Sequence, residues 1–245
     1  MRSADQRRRA SELMAEGERA RDEGERAGAE RSFRAALSLF VQLEDTHAAA
    51  SALAALADLS MAEGRLGSAT DLWRQAVARA PGDVEALTGL GYAQWLSGSP
   101  ADAEATLEQA LTRNRSAARA LAGRGQVRAE LGSYDAALAD LDRALELGLP
   151  AADETDTRTA RALAFAGLGE FARAEAEIAA ELERVPDRPR THLRAGRIAV
   201  FAGRPQQAKD RLTRVTELDQ DQAAVETEQA RRILERLERS VGGDE

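Results

Sequence analysis

Five glycines recur at one interval, and this periodicity restricts the fold more than any other feature of the sequence. Gly64, Gly98 and Gly132 are 34 residues apart, and so are Gly169 and Gly203. A fixed period of this length is typical of stacked-repeat architectures, in which each unit packs mainly against its neighbours. The chain is therefore expected to be built from copies of one small structural unit.

The residues around each glycine keep the same sizes from one copy to the next. In the third copy Gly91 lies seven residues before the glycine, Ala103 five residues after it and Leu107 four residues further on. Glycine permits the backbone conformation that ends a helix and begins a tight turn. Small residues on either side let two antiparallel helices approach closely. Each copy is therefore predicted to be a hairpin of two amphipathic helices.

This spacing resembles the tetratricopeptide repeat, a helix–turn–helix unit of about 34 residues. The stretch ALAGRGQVRAELGSYDAALADLDRALELGLP carries it most plainly, through Gly125, Gly132, Tyr134 and Ala137. Pro81, at the end of QAVARAPGD, stands at the late proline position of the family. The resemblance implies an all-α fold, a right-handed α-solenoid of about six helix–turn–helix repeats followed by a C-terminal capping helix.

The resemblance also gives expected boundaries. We expect one solenoid domain over residues 1–240, with repeats at about 10–49, 50–83, 84–117, 118–154, 155–188 and 189–221. The stretch AVETEQARRILERLERS has one apolar stripe opposite a charged face, which predicts the capping helix at about 222–240. A disordered tail is expected at 241–245. Arg124 and Arg161 depart from the family, because leucine usually occupies their positions.

Composition argues against several classes of protein. The formal net charge is −8, whereas a general nucleic-acid binder needs a basic surface. There is no cysteine, so disulfides and thiolate chemistry are excluded. No apolar run approaches the roughly 20 residues that cross a bilayer, and no secretory signal is evident. We therefore expect a cytoplasmic protein that binds neither nucleic acid nor membranes.

The sequence also offers little for catalysis. His47 and His192 are the only histidines, and neither has a second histidine at helical spacing. Nucleophile-elbow, phosphate-loop and zinc-protease motifs are missing from the sequence. We expect no metal, no cofactor and no enzymatic activity.

In tetratricopeptide repeats the first helix of each unit lines a concave groove, and the resemblance assigns certain helix positions to it. In the stretch GYAQWLSG, Tyr92 and Trp95 occupy two of these positions, and both side chains are of the type enriched at binding hot spots. The alternative is that the two rings are buried in the core. The full set of predicted groove residues is Tyr92, Trp95, Arg119, Gln126, Thr159, Leu163, Arg190, Arg194, Arg197 and Phe201.

The predicted groove changes in charge along the chain. The first two repeats place Met14, Glu18, Arg21 and Asp58 there, an acidic set on balance, and the sixth repeat places three arginines. Because arginine pairs carboxylates in bidentate fashion, a partner with an acidic end and an apolar middle would fit. The alternative is that an arginine-rich sequence scatters arginine over every exposed face. The lysine and asparagine positions with which some family members hold a partner's C-terminal carboxylate are not filled here.

These observations favour a protein–protein interaction scaffold that binds a partner protein or peptide in its groove. An alternative is a ligand- or peptide-sensing regulatory module that acts on a separate effector chain. A homodimer formed through the terminal repeats is a further alternative.

Overall fold

The computed structural model describes residues 2–218 and 225–241. Within these ranges the chain forms thirteen α-helices and no strand, as the sequence predicts. The helices are α1 (Arg2–Asp22), α2 (Arg26–Gln42), α3 (Thr46–Ala62), α4 (Leu66–Arg79), α5 (Val84–Leu96), α6 (Pro100–Arg113), α7 (Ala118–Leu131), α8 (Tyr134–Leu147), α9 (Ala151–Gly167), α10 (Phe171–Arg184), α11 (Pro189–Phe201), α12 (Pro205–Leu218) and α13 (Val225–Val241).

The first twelve helices form six hairpins, and a glycine with positive φ makes the turn in each of them. At Gly98 the backbone φ is +83°, a left-handed conformation that glycine adopts without strain. The Gly98 N–H donates to the Trp95 carbonyl at 3.0 Å, and the Ser99 N–H donates to the Gln94 carbonyl at 2.9 Å. These bonds satisfy carbonyls at the end of α5 that would otherwise lack a partner. The helix–turn–helix prediction is confirmed.

Large side chains lie directly against the small residues of the repeat. A Cβ added at Gly91 would come within 2.6 Å of Leu107 Cγ in the other helix of the same hairpin. A Cβ at Gly89 would lie 2.4 Å from the indole of Trp73, which belongs to the preceding hairpin. The first contact closes a hairpin and the second joins two consecutive hairpins, so residue size at fixed spacing sets both packing distances.

The chain divides into two compact units. Unit 1 comprises residues 1–115 and unit 2 residues 116–245. In unit 1 a core cluster containing Leu53, Trp73 and Leu90 joins α3, α4 and α5. In unit 2 a cluster containing Leu163, Phe165 and Ile198 joins α9, α10 and α11. A single solenoid domain over 1–240 stays a prediction.

Some element bounds differ from the expected ones. The first helix begins at Arg2 rather than near residue 10, and α3 begins at Thr46, four residues before the expected start of the second repeat. The capping helix α13 runs from Val225 to Val241 and so includes the first residue of the tail predicted at 241–245. Residues 219–224 and the other residues of that tail, 242–245, lie outside the described residues. Among the described helices, none combines the length and the apolar character needed to cross a bilayer.

Candidate functional site

The first helices of the hairpins in unit 1 surround a hollow of about 230 Å³. Helices α1 and α3 supply most of its wall, and the N-terminal end of α5 supplies the rest. The hollow is lined by Met14, Glu18, Arg21, Ala50, Ser51, Ala54, Ala55, Asp58, Asp83, Glu85 and Ala86. Four predicted groove positions, Met14, Glu18, Arg21 and Asp58, are in this lining, and alanines supply much of the rest.

Carboxylates outnumber cations in the unit 1 hollow. Glu18 forms an ion pair with Arg21 on α1. Asp83 caps α5 by accepting from the backbone N–H groups of Glu85 at 2.9 Å and Ala86 at 3.1 Å. Asp58 and Glu85 are exposed. With one arginine against four carboxylates, the lining carries a net negative charge.

The aromatic pair of α5 is divided between core and surface. The rings of Tyr92 and Trp95 meet edge to face, with centroids 6.1 Å apart and an angle of 61° between their planes. Trp95 is only 8% exposed, whereas Tyr92 is half-buried. The prediction that Trp95 faces an open groove is therefore wrong, because its ring is part of the packing of unit 1. Its use in partner binding has no support from this geometry.

In unit 2 a buried arginine links three first helices. Arg194 on α11 donates from Nη1 to the Asp156 carbonyl at 2.5 Å and to Thr159 Oγ1 at 2.7 Å, both on α9. Its Nη2 donates to Gln126 Oε1 on α7 at 3.0 Å. Burial lowers the pKa of Arg194 to about 10, although the negative charge of Asp156 acts to raise it. The guanidinium is therefore a charged, internally bonded group at neutral pH.

Four of the residues predicted to line the groove are buried instead. Gln126, Thr159, Leu163 and Arg194 are each at most 2% exposed. The physical reason is that α7 packs against α9 and α9 against α11. Small residues such as Gly123 and Ala160 let these helices approach, so side chains that would line a groove fill the space between the helices instead.

The other basic residues predicted to line the groove in unit 2 are paired within the chain. Asp156 Oδ2 accepts from Arg188 at 2.8 Å and from Arg190 at 3.2 Å. Arg190 also pairs with Glu226 of α13 at 2.6 Å. Burial disfavours the charge on Arg190, but Asp156 and Glu226 outweigh it and raise its pKa.

The same internal pairing extends to two further arginines. Arg197 lies 3.8 Å from Glu130, and the exposed Arg119 lies 3.2 Å from Asp153. The row of unpaired arginines expected to receive an acidic ligand is therefore not present at these positions. Of the predicted groove residues in unit 2, Phe201 is the most open apolar one, at 42% exposure.

Sequence reasoning missed two partly buried ion pairs, although their positions in the repeat could have revealed them. Arg124 donates to Asp140 through Nε at 2.8 Å and Nη2 at 2.7 Å. Arg161 reaches Glu177 at 2.6 Å. In both cases an arginine at the family's leucine position pairs with a carboxylate 16 residues later, on the facing helix. The equivalent pair in the second repeat is Leu56 and Leu72. Asp156, in contrast, lies in an insertion and has no counterpart that would reveal it.

The described residues show no metal centre. No group of three or more His, Asp or Glu side chains among them is placed to hold a metal ion. His192 is buried against the Pro186 carbonyl, at 2.7 Å from Nε2, and His47 lies 3.9 Å from Asp83. The two histidines belong to different units.

Two sequence models described as "Tetratricopeptide repeat" match the chain, one at residues 60–127 and the other at 118–147. No curated protein sequence matches it. Several solved structures match the chain in fold. The APC/C hetero-tetramer Cut9–Hcn1 matches with a TM-score of 0.72 and 16% identity, over 94% of this chain and 43% of that one.

Two other solved structures are similar over most of their own length. A tetratricopeptide repeat protein from Parabacteroides merdae matches with a TM-score of 0.61 and 18% identity, over 94% of this chain and 93% of that one. YrrB is described as a tetratricopeptide repeat protein with an unusual peptide-binding site. It matches with a TM-score of 0.50 and 20% identity, over 76% of this chain and 93% of that one. At these identities the likeness concerns the fold.

Proposed function

Since this chain is a tetratricopeptide repeat protein with an all-α helical-repeat fold, we propose that it is a non-enzymatic scaffold that binds a segment of a partner protein in the unit 1 hollow. The observation that carries the proposal is the lining of that hollow. Its floor consists of small alanines and its wall of accessible carboxylates, Asp58 and Glu85 among them. Fold alone does not assign a function, whereas the chemistry of this surface restricts what can bind to it.

The lining specifies the chemistry of the partner. Alanines such as Ala50 and Ala54 leave room for an extended chain to lie close to the helices. Carboxylates around them would pair with lysine or arginine side chains, whose aliphatic stems would cover the apolar floor. The preferred segment is therefore basic. YrrB, a structure of similar fold, is described as having an unusual peptide-binding site, which supports the proposal that this fold binds a peptide segment here. A cytoplasmic location stays a prediction.

The contrast with unit 2 supports the choice of hollow. There the predicted arginines Arg190 and Arg194 are bonded to Asp156, Glu226 and Gln126. A ligand at those positions would have to break buried hydrogen bonds, each of which stabilises the fold. In unit 1 a basic segment would add partners to carboxylates that already face solvent.

The experiment is a selection of random peptides displayed on phage against the full chain. Enriched peptides are then titrated by fluorescence polarisation against wild type and an Asp58→Asn, Glu85→Gln variant. The matched control is Asp71→Asn, Glu108→Gln, which removes the same charge from exposed positions on α4 and α6 of unit 1. We expect lysine- or arginine-rich peptides whose binding weakens by about three- to tenfold in the first variant only.

Salt supplies an independent check on the charge argument. Binding of the basic peptides should weaken as ionic strength rises, because exposed charges are screened. Failure to enrich basic peptides, or equal binding of the enriched basic peptides by the two variants, would refute the assignment to the unit 1 hollow.

A further inference from the structure

The end of α11 and the face of α13 form a second groove, in unit 2. Its volume is about 370 Å³, and it is lined by Arg197, Val200, Phe201, Ile233, Arg236 and Leu237. The four apolar residues form a continuous floor, and the two arginines stand at its sides. It is separate from the buried Arg194 network, whose bonds run to α7 and α9.

The apolar floor of this groove is partly exposed to solvent. Val200 is 39% exposed and Phe201 is 42% exposed. Ile233 and Leu237 are partly buried, because they also pack against the core of α11 and α12. Contiguous exposed apolar surface bordered by charge is typical of interaction sites in soluble proteins.

Phe201 is held in position rather than free to fold over. Its ring meets Tyr134 edge to face, with centroids 6.3 Å apart and an angle of 85°. Tyr134 is itself fixed against α9, where a Cβ added at Gly167 would lie 2.3 Å from its ring. A ring fixed in this way loses little conformational freedom when a ligand packs on it, which favours binding.

The sides of the groove are cationic. Arg236 is exposed, and its Nε lies 3.4 Å from the Arg232 carbonyl. Among the described side chains, no carboxylate pairs with Arg236. Arg197 lies across the groove, 3.8 Å from Glu130, a distance that leaves its charge only partly neutralised. An apolar floor between two guanidinium groups is complementary to an apolar side chain next to a carboxylate.

We propose that this groove binds a partner segment in which a large apolar side chain lies beside an aspartate or glutamate. The apolar side chain packs on Phe201, Val200 and Leu237, and the carboxylate pairs with Arg236. This goes beyond the proposed function, because it assigns a second surface with the opposite charge preference. A chain with both surfaces can bring two different partner segments together.

The same displayed peptide selection tests this groove independently of the unit 1 hollow. Peptides that combine leucine, phenylalanine or tryptophan with a neighbouring acidic residue should be enriched. Their affinity should fall by at least about fivefold in Phe201→Ala and in Arg236→Glu. The matched control is Leu131→Ala, which removes another exposed apolar side chain of unit 2 outside the groove. Circular dichroism of each variant checks that the helices are retained.

Each outcome decides the proposal. Acidic–apolar peptides lost in both groove variants and kept in the control support it, whatever happens to the basic peptides of unit 1. Failure to enrich such peptides, or enriched peptides that bind both groove variants as well as wild type, would overturn it. If sedimentation shows a dimer that Phe201→Ala dissociates, the groove belongs to a second copy of the chain and the peptide proposal is wrong.

Discussion

Nη2 of Arg194 donates a hydrogen bond of 3.0 Å to Oε1 of Gln126, which lies 68 residues earlier in the chain. The bond joins α11 to α7, and the same guanidinium bonds Thr159 on α9. One side chain therefore connects the first helices of three successive hairpins in unit 2. Such a connection makes the stability of these hairpins depend on one residue.

Replacing Arg194 by alanine should lower the free energy of unfolding by about 3 kcal/mol, because buried acceptors then lose their donor and a cavity remains. Arg194→Lys should recover only part of this, since one ammonium group cannot reproduce the planar fork. The measurement is the urea midpoint by circular dichroism, because Trp73 and Trp95 both lie in unit 1 and do not report on unit 2. Arg232→Ala, an exposed control on α13, should change stability by less than about 0.5 kcal/mol. Equal effects of Arg194→Ala and Arg232→Ala would contradict this account.

The pair Arg124 and Asp140 should behave as a unit that replaces an apolar contact. Asp140 is 6% exposed and also accepts from Arg128 at 2.9 Å. Asp140→Leu alone should destabilise by about 3 kcal/mol, because it leaves two largely buried guanidinium groups without their carboxylate. Adding Arg124→Leu should recover at least about 1 kcal/mol, since the second repeat has Leu56 and Leu72 in this place.

A double-mutant cycle in urea measures the coupling between Arg124 and Asp140. The control cycle is Arg143 and Glu146, an exposed pair at 2.9 Å on α8, whose coupling should be below about 0.5 kcal/mol. If the double leucine variant is as unstable as the sum of its single changes, the two positions are not exchangeable with a leucine pair.

Two glycines of unit 1 should respond to alanine with opposite signs. At Gly89 the new methyl group would lie 2.4 Å from the Trp73 ring, so the variant should lose about 2 kcal/mol. At Gly67 on α4 nothing lies within 4 Å of the added Cβ, so alanine should stabilise by about 0.5 kcal/mol. Urea unfolding followed by tryptophan fluorescence suits both variants. A stabilised Gly89→Ala would show that the ring can move aside.

The repeat and its packing could be predicted from sequence because they depend on residue size at fixed spacing. Glycine at the turn and Gly91 opposite Leu107 are local requirements, which leave a periodic trace. The accessibility of the predicted groove could not be predicted in the same way. Whether Trp95 or Arg194 faces solvent depends on how closely neighbouring hairpins approach. It also depends on partners such as Asp156, 38 residues from Arg194, and such distances leave no periodic trace.

His192 should make unit 2 less stable as the pH falls below neutrality. Burial is the main cause that lowers its pKa from 6.5, and Arg211 and Arg214 add to it against the opposing effects of the Pro186 carbonyl and Asp187. Above about pH 7 the ring is neutral in both states. As the pH falls through about 6.5 the unfolded chain takes up the proton first, so stability decreases by at most about 1.4 kcal/mol per pH unit. Urea midpoints by circular dichroism between about pH 7.5 and pH 5.5 should fall less steeply in His192→Gln than in wild type. The control is His47→Gln, which changes a side chain that is 79% exposed and should leave the slope of stability against pH as in wild type. If His192→Gln also keeps that slope, the buried ring has no part in the pH dependence.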